Sequence, residues 1–385
     1  MQKKDFKALG VASCIYFLSS NLTSMFLPVY YLRLGLGVGD IVLLLLATFM
    51  IIGLLPITLL MFIRNFECLI CFGVLFTMIF YTLLMFVRNP VVLGIVYGLS
   101  IATFWPSFNL LQFRLSESNI RARSVSLFSI IIPSVASIVG PATGGLLIEK
   151  IGFTAVFGFA VALYLVALIF FMRVRFRRET FGLTVPRSRK LSIFFATFII
   201  FGMCEAYWLA YPLFVNRISE TVSRMGFVLA LTSLVVSVIT FLVNWLSDIK
   251  MRRAEFAIMG VMLNAAWFFL IGHATAPQHI VSLSALSGLA SAFTISWFAH
   301  YGDSFSREHY ASILVLMEVG LMTGRLLNLV PTYIFISRAD YQSYFTLLGT
   351  LILSVIPFLA YGRSKRKNAY RLLLTWKAHF KHGSM

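Results

Sequence analysis

Twelve continuous apolar stretches, separated by short polar loops, constrain this chain more than anything else in it. They run over 9–31, 40–63, 68–87, 91–113, 124–147, 153–172, 192–216, 224–246, 255–274, 280–302, 311–336 and 341–361. Each is close to the ~20 apolar residues that an α-helix needs to cross a hydrocarbon core. None alternates with period two, which excludes a membrane β-barrel. Charged residues make up 12% of the 385 positions, against about a quarter in a soluble domain. No polar stretch is left over for a separate soluble domain. The fold class that follows is an all-α polytopic membrane protein with twelve transmembrane helices. Lys3, Lys4 and Lys7 before the first stretch imitate a secretory signal, but the stretch is too long for one and lacks a small-residue cleavage site. It reads as a retained first helix.

Orientation follows from the basic residues. Of 32 Lys and Arg, 25 fall on the side holding both termini, six fall opposite (Arg33, Arg88, Lys150, Arg217, Arg224 and Arg338), and Arg325 lies inside a stretch. Basic loops stay in the cytoplasm, so both termini are expected there, in the cell membrane. The net charge of +18 is thereby explained as topology, and no nucleic-acid partner is expected. The tail carries Arg363, Lys365, Arg366, Lys367 and Arg371, then Leu372 to Leu374 and Trp376. Such a segment either lies on anionic inner-leaflet lipids or is a solvated tail. Cys68 and Cys71 form a lone Cys-x-x-Cys with no second pair, and Cys14 and Cys204 lie within apolar stretches. No metal or cofactor is expected.

A repeat divides the chain. Asn21-Leu-Thr-Ser-Met-Phe-Leu-Pro28-Val-Tyr-Tyr-Leu-Arg33 returns 184 residues later as Glu205-Ala-Tyr-Trp-Leu-Ala-Tyr-Pro212-Leu-Phe-Val-Asn-Arg217. Trp105 is echoed by Trp297, and Val139-Gly-Pro141 by Leu329-Val-Pro331. Two pseudo-symmetric six-helix halves result, an N-terminal bundle over 1–172 and a C-terminal bundle over 192–361. A basic cytoplasmic linker spans 173–191, and a basic cytoplasmic tail spans 362–385. Parallel repeats of this kind are a transporter architecture.

Three loop and helix motifs carry a family resemblance. Asn244-Trp-Leu-Ser-Asp248-Ile-Lys250-Met-Arg252-Arg253 resembles the cytoplasmic loop signature of the major facilitator superfamily. The resemblance implies a cytoplasmic gate formed by Asp248, Lys250, Arg252 and Arg253. The first-half counterpart, Leu60-Met-Phe-Ile-Arg64-Asn-Phe-Glu67, departs from that pattern and has no acid in place. Gly140-Pro141-Ala-Thr-Gly144-Gly145 is similar to the family's helix 5 motif, often associated with antiporters, and Glu117-Ser-Asn-Ile-Arg121-Ala-Arg123 to its 4–5 loop. Gly and Pro remove bulk, so this helix can approach one from the other half closely.

Charges at membrane depth are costly and mark function. Glu205 lies mid-helix, and its carboxylate can take up a proton in one state and release it in another as its surroundings change. Arg325 and Glu318 lie seven residues apart on one face of helix 11. In the family's fold helix 7 neighbours helix 11, which implies that Glu205 and Arg325 can meet. Glu205, Arg325 and Glu318 are the candidates for proton coupling. The alternatives for the pair are a static structural contact, a contact that breaks during transport, or Arg325 binding an anionic substrate. Candidates for the substrate cavity are Asn21, Ser24, Trp105, Asn109, Gln112, Trp208, Trp297 and Asn328, with His300 and Asp303 as further gate residues. Aromatic surfaces with a few polar groups suit an amphipathic ligand.

No metalloprotease, nucleophile-elbow or phosphate-loop motif is present, so the chain does not read as an enzyme. The favoured reading is a secondary active transporter working by alternating access as a monomer, exporting small amphipathic compounds in exchange for protons. An importer of a sugar, organic anion or other metabolite, proton-coupled or facilitative, is the alternative. A channel or a non-transporting sensor on the same fold remains open.

Overall fold

A computed structural model describes residues 3–62, 68–115, 132–174, 185, 188–250, 253–306 and 309–359. Among these residues the fold is all helical. The first half contains α1 (Lys3–Thr23), α2 (Leu27–Arg33), α3 (Val38–Phe62), α4 (Leu69–Leu84), α5 (Pro90–Leu115), α6 (Ile132–Ile151) and α7 (Phe153–Met172). The second contains α8 (Arg189–Met203), α9 (Ala210–Ser219), α10 (Val222–Lys250), α11 (Arg253–Ile271), α12 (Pro277–Asp303), α13 (Tyr310–Ile336) and α14 (Tyr341–Leu353). Eight helical segments among the described residues are long and apolar enough to cross a membrane, and Leu69–Leu84 and Ala257–Ile271 are shorter apolar helices.

Two segments that read as single helices are broken. After Thr23 the chain makes a 3-10 turn over Ser24–Phe26 before α2 starts, and after Met203 it makes one over Ala206–Trp208 before α9 starts. The shared prolines favour both breaks, although Pro56, Pro106, Pro141 and Pro331 lie inside continuous helices. Pro28 and Pro212 have no N–H to give, and their rings would clash with the carbonyls four residues back, at Ser24 and Trp208. Each proline is instead accommodated in the first turn of a restarted helix, where an N–H has no intrahelical acceptor anyway. Hydropathy alone cannot register such a break.

The shared arginines have matching roles too. The Arg33 guanidinium lies 5.1 Å from the ring centroid of Phe153, which opens α7, and that of Arg217 lies 5.8 Å from Tyr341, which opens α14. One turn before each, Tyr30 packs on Phe153 and Phe157, as Phe214 packs on Tyr341 and Phe345.

Packing repeats along with the sequence. In the first half α1 packs on α6 and α7, α5 on α3 and α4, and α4 on α7. In the second half α8 packs on α13 and α14, α12 on α10 and α11, and α11 on α14. The halves meet along two seams, α6 with α10 and α3 with α13. Glycines set the closest crossings. A β-carbon at Gly144 would collide with the Leu22 carbonyl, and one at Gly324 with the Ile199 carbonyl, so each half presses a Gly-x-x-x-Gly helix onto its leading helix. Gly145 meets Gly226 backbone to backbone in the α6–α10 seam.

Helix α6 runs to Ile151, beyond the expected end at 147. The extension places Glu149 in its last turn, where a carboxylate oxygen accepts the Ser223 N–H at 3.0 Å, at the start of α10. A carboxylate from one half thus meets the positive end of a helix in the other. Many large apolar side chains face outward. Phe227, Leu231, Leu234, Val238 and Phe241 form an exposed stripe along α10 with spacings of four and three. Such a stripe is stable against lipid and would aggregate in water.

Candidate functional site

The break between α8 and α9 places Glu205 in a short non-helical segment, with φ −79° and ψ 79°. Freed from the helix, its carboxylate collects four hydrogen bonds. Arg325 on α13 donates to it twice, from Nε at 2.7 Å and from Nη2 at 3.0 Å. Trp208 donates Nε1–H at 2.7 Å, and the Tyr207 hydroxyl donates at 3.0 Å. Both donors come from the 3-10 turn itself, so the turn that breaks the helix also supplies partners for the charge it exposes. Glu205 and Arg325 are each only 8% exposed, a burial that an ion pair tolerates only when its remaining groups are hydrogen-bonded.

A second carboxylate is less well held. Glu318, on the same face of α13, approaches Arg325 Nη1 at 3.7 Å and makes no hydrogen bond among the described residues. The guanidinium sits 5.5 Å from the Trp208 ring and 5.9 Å from the Phe49 ring. Phe49 belongs to α3, so the ionic centre lies on the α3–α13 seam between the halves.

Beside it opens a cavity of about 330 Å³. The first half contributes Tyr16, Ser20, Ser24, Tyr31, Tyr81, Tyr97, Trp105, Asn109 and Tyr164 to its wall, and the second contributes Tyr207, Trp208, Glu318 and Arg325. One wall is neutral and rich in hydroxyl groups, and every charge is on the other. The tyrosine hydroxyls are partly committed elsewhere. Thr23 Oγ1 donates to the Tyr81 hydroxyl at 2.6 Å. Tyr31 is different, because its buried hydroxyl has no hydrogen-bond partner among the described residues.

The residues expected from sequence fall into three groups. Ser24, Trp105, Asn109 and Trp208 line the cavity with Glu318 and Arg325. Asn328 lines a water-sized gap beneath Glu205, where it donates to the Tyr344 hydroxyl at 2.9 Å and leaves its own carbonyl oxygen unpartnered. Asn21 and Trp297 line neither space. Asn21 donates back to the Phe17 carbonyl at 2.8 Å and abuts Gly140, because the close α1–α6 crossing takes up its face of the helix. Trp297 is buried between α12 and α8, with Nε1–H donated to Thr197 at 2.8 Å and its ring on Phe194. The side chains of Gln112, Asp248, Lys250, Arg253, His300 and Asp303 lie outside the described residues, as does Arg252. Gly140, Pro141, Gly144 and Gly145 lie on α6 at its two close crossings.

Sequence reasoning missed Tyr207, Phe49 and the cavity tyrosines. Hydropathy counts a tyrosine with the apolar residues, although its hydroxyl is polar. It also missed Gly202, Gly320 and Gly324, which bring α8 and α13 together. The Gly320-x-x-x-Gly324 spacing was a readable signal for that contact.

Residues 193–382 match the family model described as Major Facilitator Superfamily. A 122-residue match, 30% identical, is found to the uncharacterized protein YqgE of Bacillus subtilis (strain 168), and it spans 27% of that protein and 29% of this chain. Among solved structures, a variant of the nucleoside transporter NupG is similar with a TM-score of 0.70 and 13% identity, covering 92% of this chain and 99% of that one. A POT family transporter, solved with a thioalcohol-conjugated peptide, is similar with a TM-score of 0.75 and 10% identity, covering 94% of this chain and 96% of that one. At these identities the likeness to the solved structures is one of fold. The match of residues 193–382, the helical fold and the eight helices long and apolar enough to cross a membrane agree: this chain is a multi-pass membrane protein whose second half resembles the major facilitator superfamily.

Proposed function

We propose that the protein is a secondary active transporter that works by alternating access and exports small amphipathic compounds in exchange for protons. Its helices make twelve crossings in two bundles, 1–172 and 192–361, with the 173–191 linker, the 362–385 tail and both termini in the cytoplasm. The protein acts as a monomer, and its tail rests on anionic inner-leaflet lipids. The observation that carries the reading is Glu205, a carboxylate held at a helix break beside an aromatic cavity and clamped by an arginine on the seam between halves. A proton arriving on Glu205 removes the charge that holds Arg325. Loss of that clamp loosens the α3–α13 seam and lets one face of the cavity open. Asp248, Lys250, Arg252 and Arg253 close the cytoplasmic side, and the Gly140 to Gly145 motif keeps the opposite seam tight.

Proteoliposomes with an imposed pH gradient test this. Glu205→Gln is expected to lose gradient-driven accumulation while retaining substrate exchange at equal pH. Full gradient-driven transport in that variant would exclude Glu205 as the coupling group. If Arg325→Ala restores function to Glu205→Gln, the two residues form a structural pair instead. Uptake of a metabolite is the second reading. It is favoured by the two solved folds, one named a nucleoside transporter and one holding a conjugated peptide. Inward accumulation of a nucleoside or peptide down a proton gradient would decide for it.

A further inference from the structure

The buried charges beside the cavity do not balance. Glu205 and Glu318 are two carboxylates, and Arg325 is the one cation among the described residues that faces them. Arg325 spends both Nε and Nη2 on Glu205 and reaches Glu318 only at 3.7 Å. Glu318 is therefore the surplus charge, and it is the one of the two carboxylates that lines the cavity. An uncompensated charge at this depth is costly, so a positive group that enters the cavity is drawn to it. The facing wall suits such a group. Tyr16, Tyr81, Tyr97 and Trp105 are among its lining residues, and aromatic rings attract organic cations through their quadrupole. Tyr31 lines the same space and is 3% exposed, with a hydroxyl that has no partner among the described residues. A buried polar group left unpaired is a vacancy for a ligand's hydrogen bond.

We propose that the substrate is a monovalent organic cation with an aromatic or apolar body, seated with its positive group on Glu318 and a polar substituent on the Tyr31 hydroxyl. This deepens the transport reading and rests on it for the word substrate, but the binding site stands by itself. It also assigns the two carboxylates different tasks, with Glu205 engaging Arg325 and Glu318 engaging the cargo. Arg325 then has Nε and Nη2 committed to Glu205, which leaves only Nη1 toward the cavity and its carboxylate Glu318.

The test is calorimetric titration of the purified full chain with three probes of matched shape. These are benzyltrimethylammonium, its neutral carbon isostere neopentylbenzene, and the anion phenylacetate. The cation is expected to bind at least about tenfold more tightly than the other two, which is about 1.4 kcal/mol. Glu318→Gln is expected to abolish that preference and leave neopentylbenzene unchanged. Tyr31→Phe is expected to weaken tyramine, which carries a hydroxyl, and not phenethylamine, which lacks one. Tighter binding of phenylacetate, or an undiminished cation preference in Glu318→Gln, overturns the proposal. Competition by sodium at equal concentration also overturns it, since the site would then be inorganic. If Glu318→Gln cannot be purified, the ranking of the three probes on the unaltered protein decides alone. Cation preference without gradient-driven flux in proteoliposomes would sink the transport reading and keep this site, and flux without cation preference would do the reverse.

Discussion

Beside the turn that interrupts its leading helix, the first half places Tyr81 on Thr23. Beside the matching turn the second half places Arg325 on Glu205. The backbone event is the same in both, and the chemistry filling it is neutral in one and ionic in the other. The contrast recurs at the membrane surface. Gly152, with φ 86°, precedes α7, and Asp340, whose carboxylate accepts the Ser343 N–H at 3.1 Å, precedes α14. A duplicated scaffold thus keeps its shape through proline, glycine and aromatic contacts. Within the cavity lining, the charges Glu318 and Arg325 come from the second copy alone, which makes the two sides unequal.

The largest expected effect breaks the ionic centre. Arg325→Ala leaves two buried carboxylates without a cation and should cost about 3–5 kcal/mol, read from equilibrium unfolding in mixed detergent micelles. Its neutral counterpart, Tyr81→Phe, should cost about 1 kcal/mol. Glu205→Gln added to Arg325→Ala should recover much of the loss. Equal costs for Arg325→Ala and Tyr81→Phe would erase the distinction between the halves.

Next come the glycine crossings, where the halves should agree. Gly144→Ala and Gly324→Ala each push a methyl group into a facing carbonyl and should each destabilise by about 1–3 kcal/mol. A several-fold difference between them would show that the copies are not packed alike. Smaller still is the arginine clasp. Arg33→Ala and Arg217→Ala should each cost about 0.5–1 kcal/mol, with Arg217→Ala the larger because its Nη1 also donates to the Ala339 carbonyl at 3.1 Å. Unfolding midpoints of the two variants side by side check this.

The smallest effect concerns Asp340. Hydrogen bonds from Ser343 hold its carboxyl below the ordinary aspartate value of 3.8. A depressed acid stabilises the fold above its unfolded pKa, and the contribution is lost as pH falls through the folded one. Asp340→Ala should therefore lower the unfolding midpoint slightly at neutral pH. That difference should vanish on acidification below 3.8. A difference that survives in strong acid would mean the side chain acts by packing and not by charge.

Much of this was readable from sequence. The repeat is visible as letters, and its Pro lies just past each helix break while its Arg clasps the next helix. The meeting of Glu205 with Arg325 followed from which helices neighbour each other in the family's fold. What could not be read was direction. Trp105 and Trp297 are related by the repeat, yet one lines the cavity and the other is sealed against Thr197, because the repeat matches positions in sequence and not what each side chain faces. Asn21 was misjudged for a similar reason: the sequence shows a polar residue at mid-span but not the glycine that packs against it. The tyrosines were invisible because an apolar stretch conceals a hydroxyl.

The meeting of Gly145 and Gly226 has a mechanical consequence. Where side chains interlock, turning one helix against another forces rotamers to change, and each change is a small catch that must be released. A seam made of bare backbone has no teeth. At this point α6 and α10 touch as two smooth rods, with Glu149 capping α10 nearby as a pin at one end. On the other seam, Gly53 faces Met322, and methionine is the apolar side chain that reshapes most readily. At these two points the joint offers little to catch on, and on the α3–α13 seam the ionic centre at Arg325 is the catch that remains.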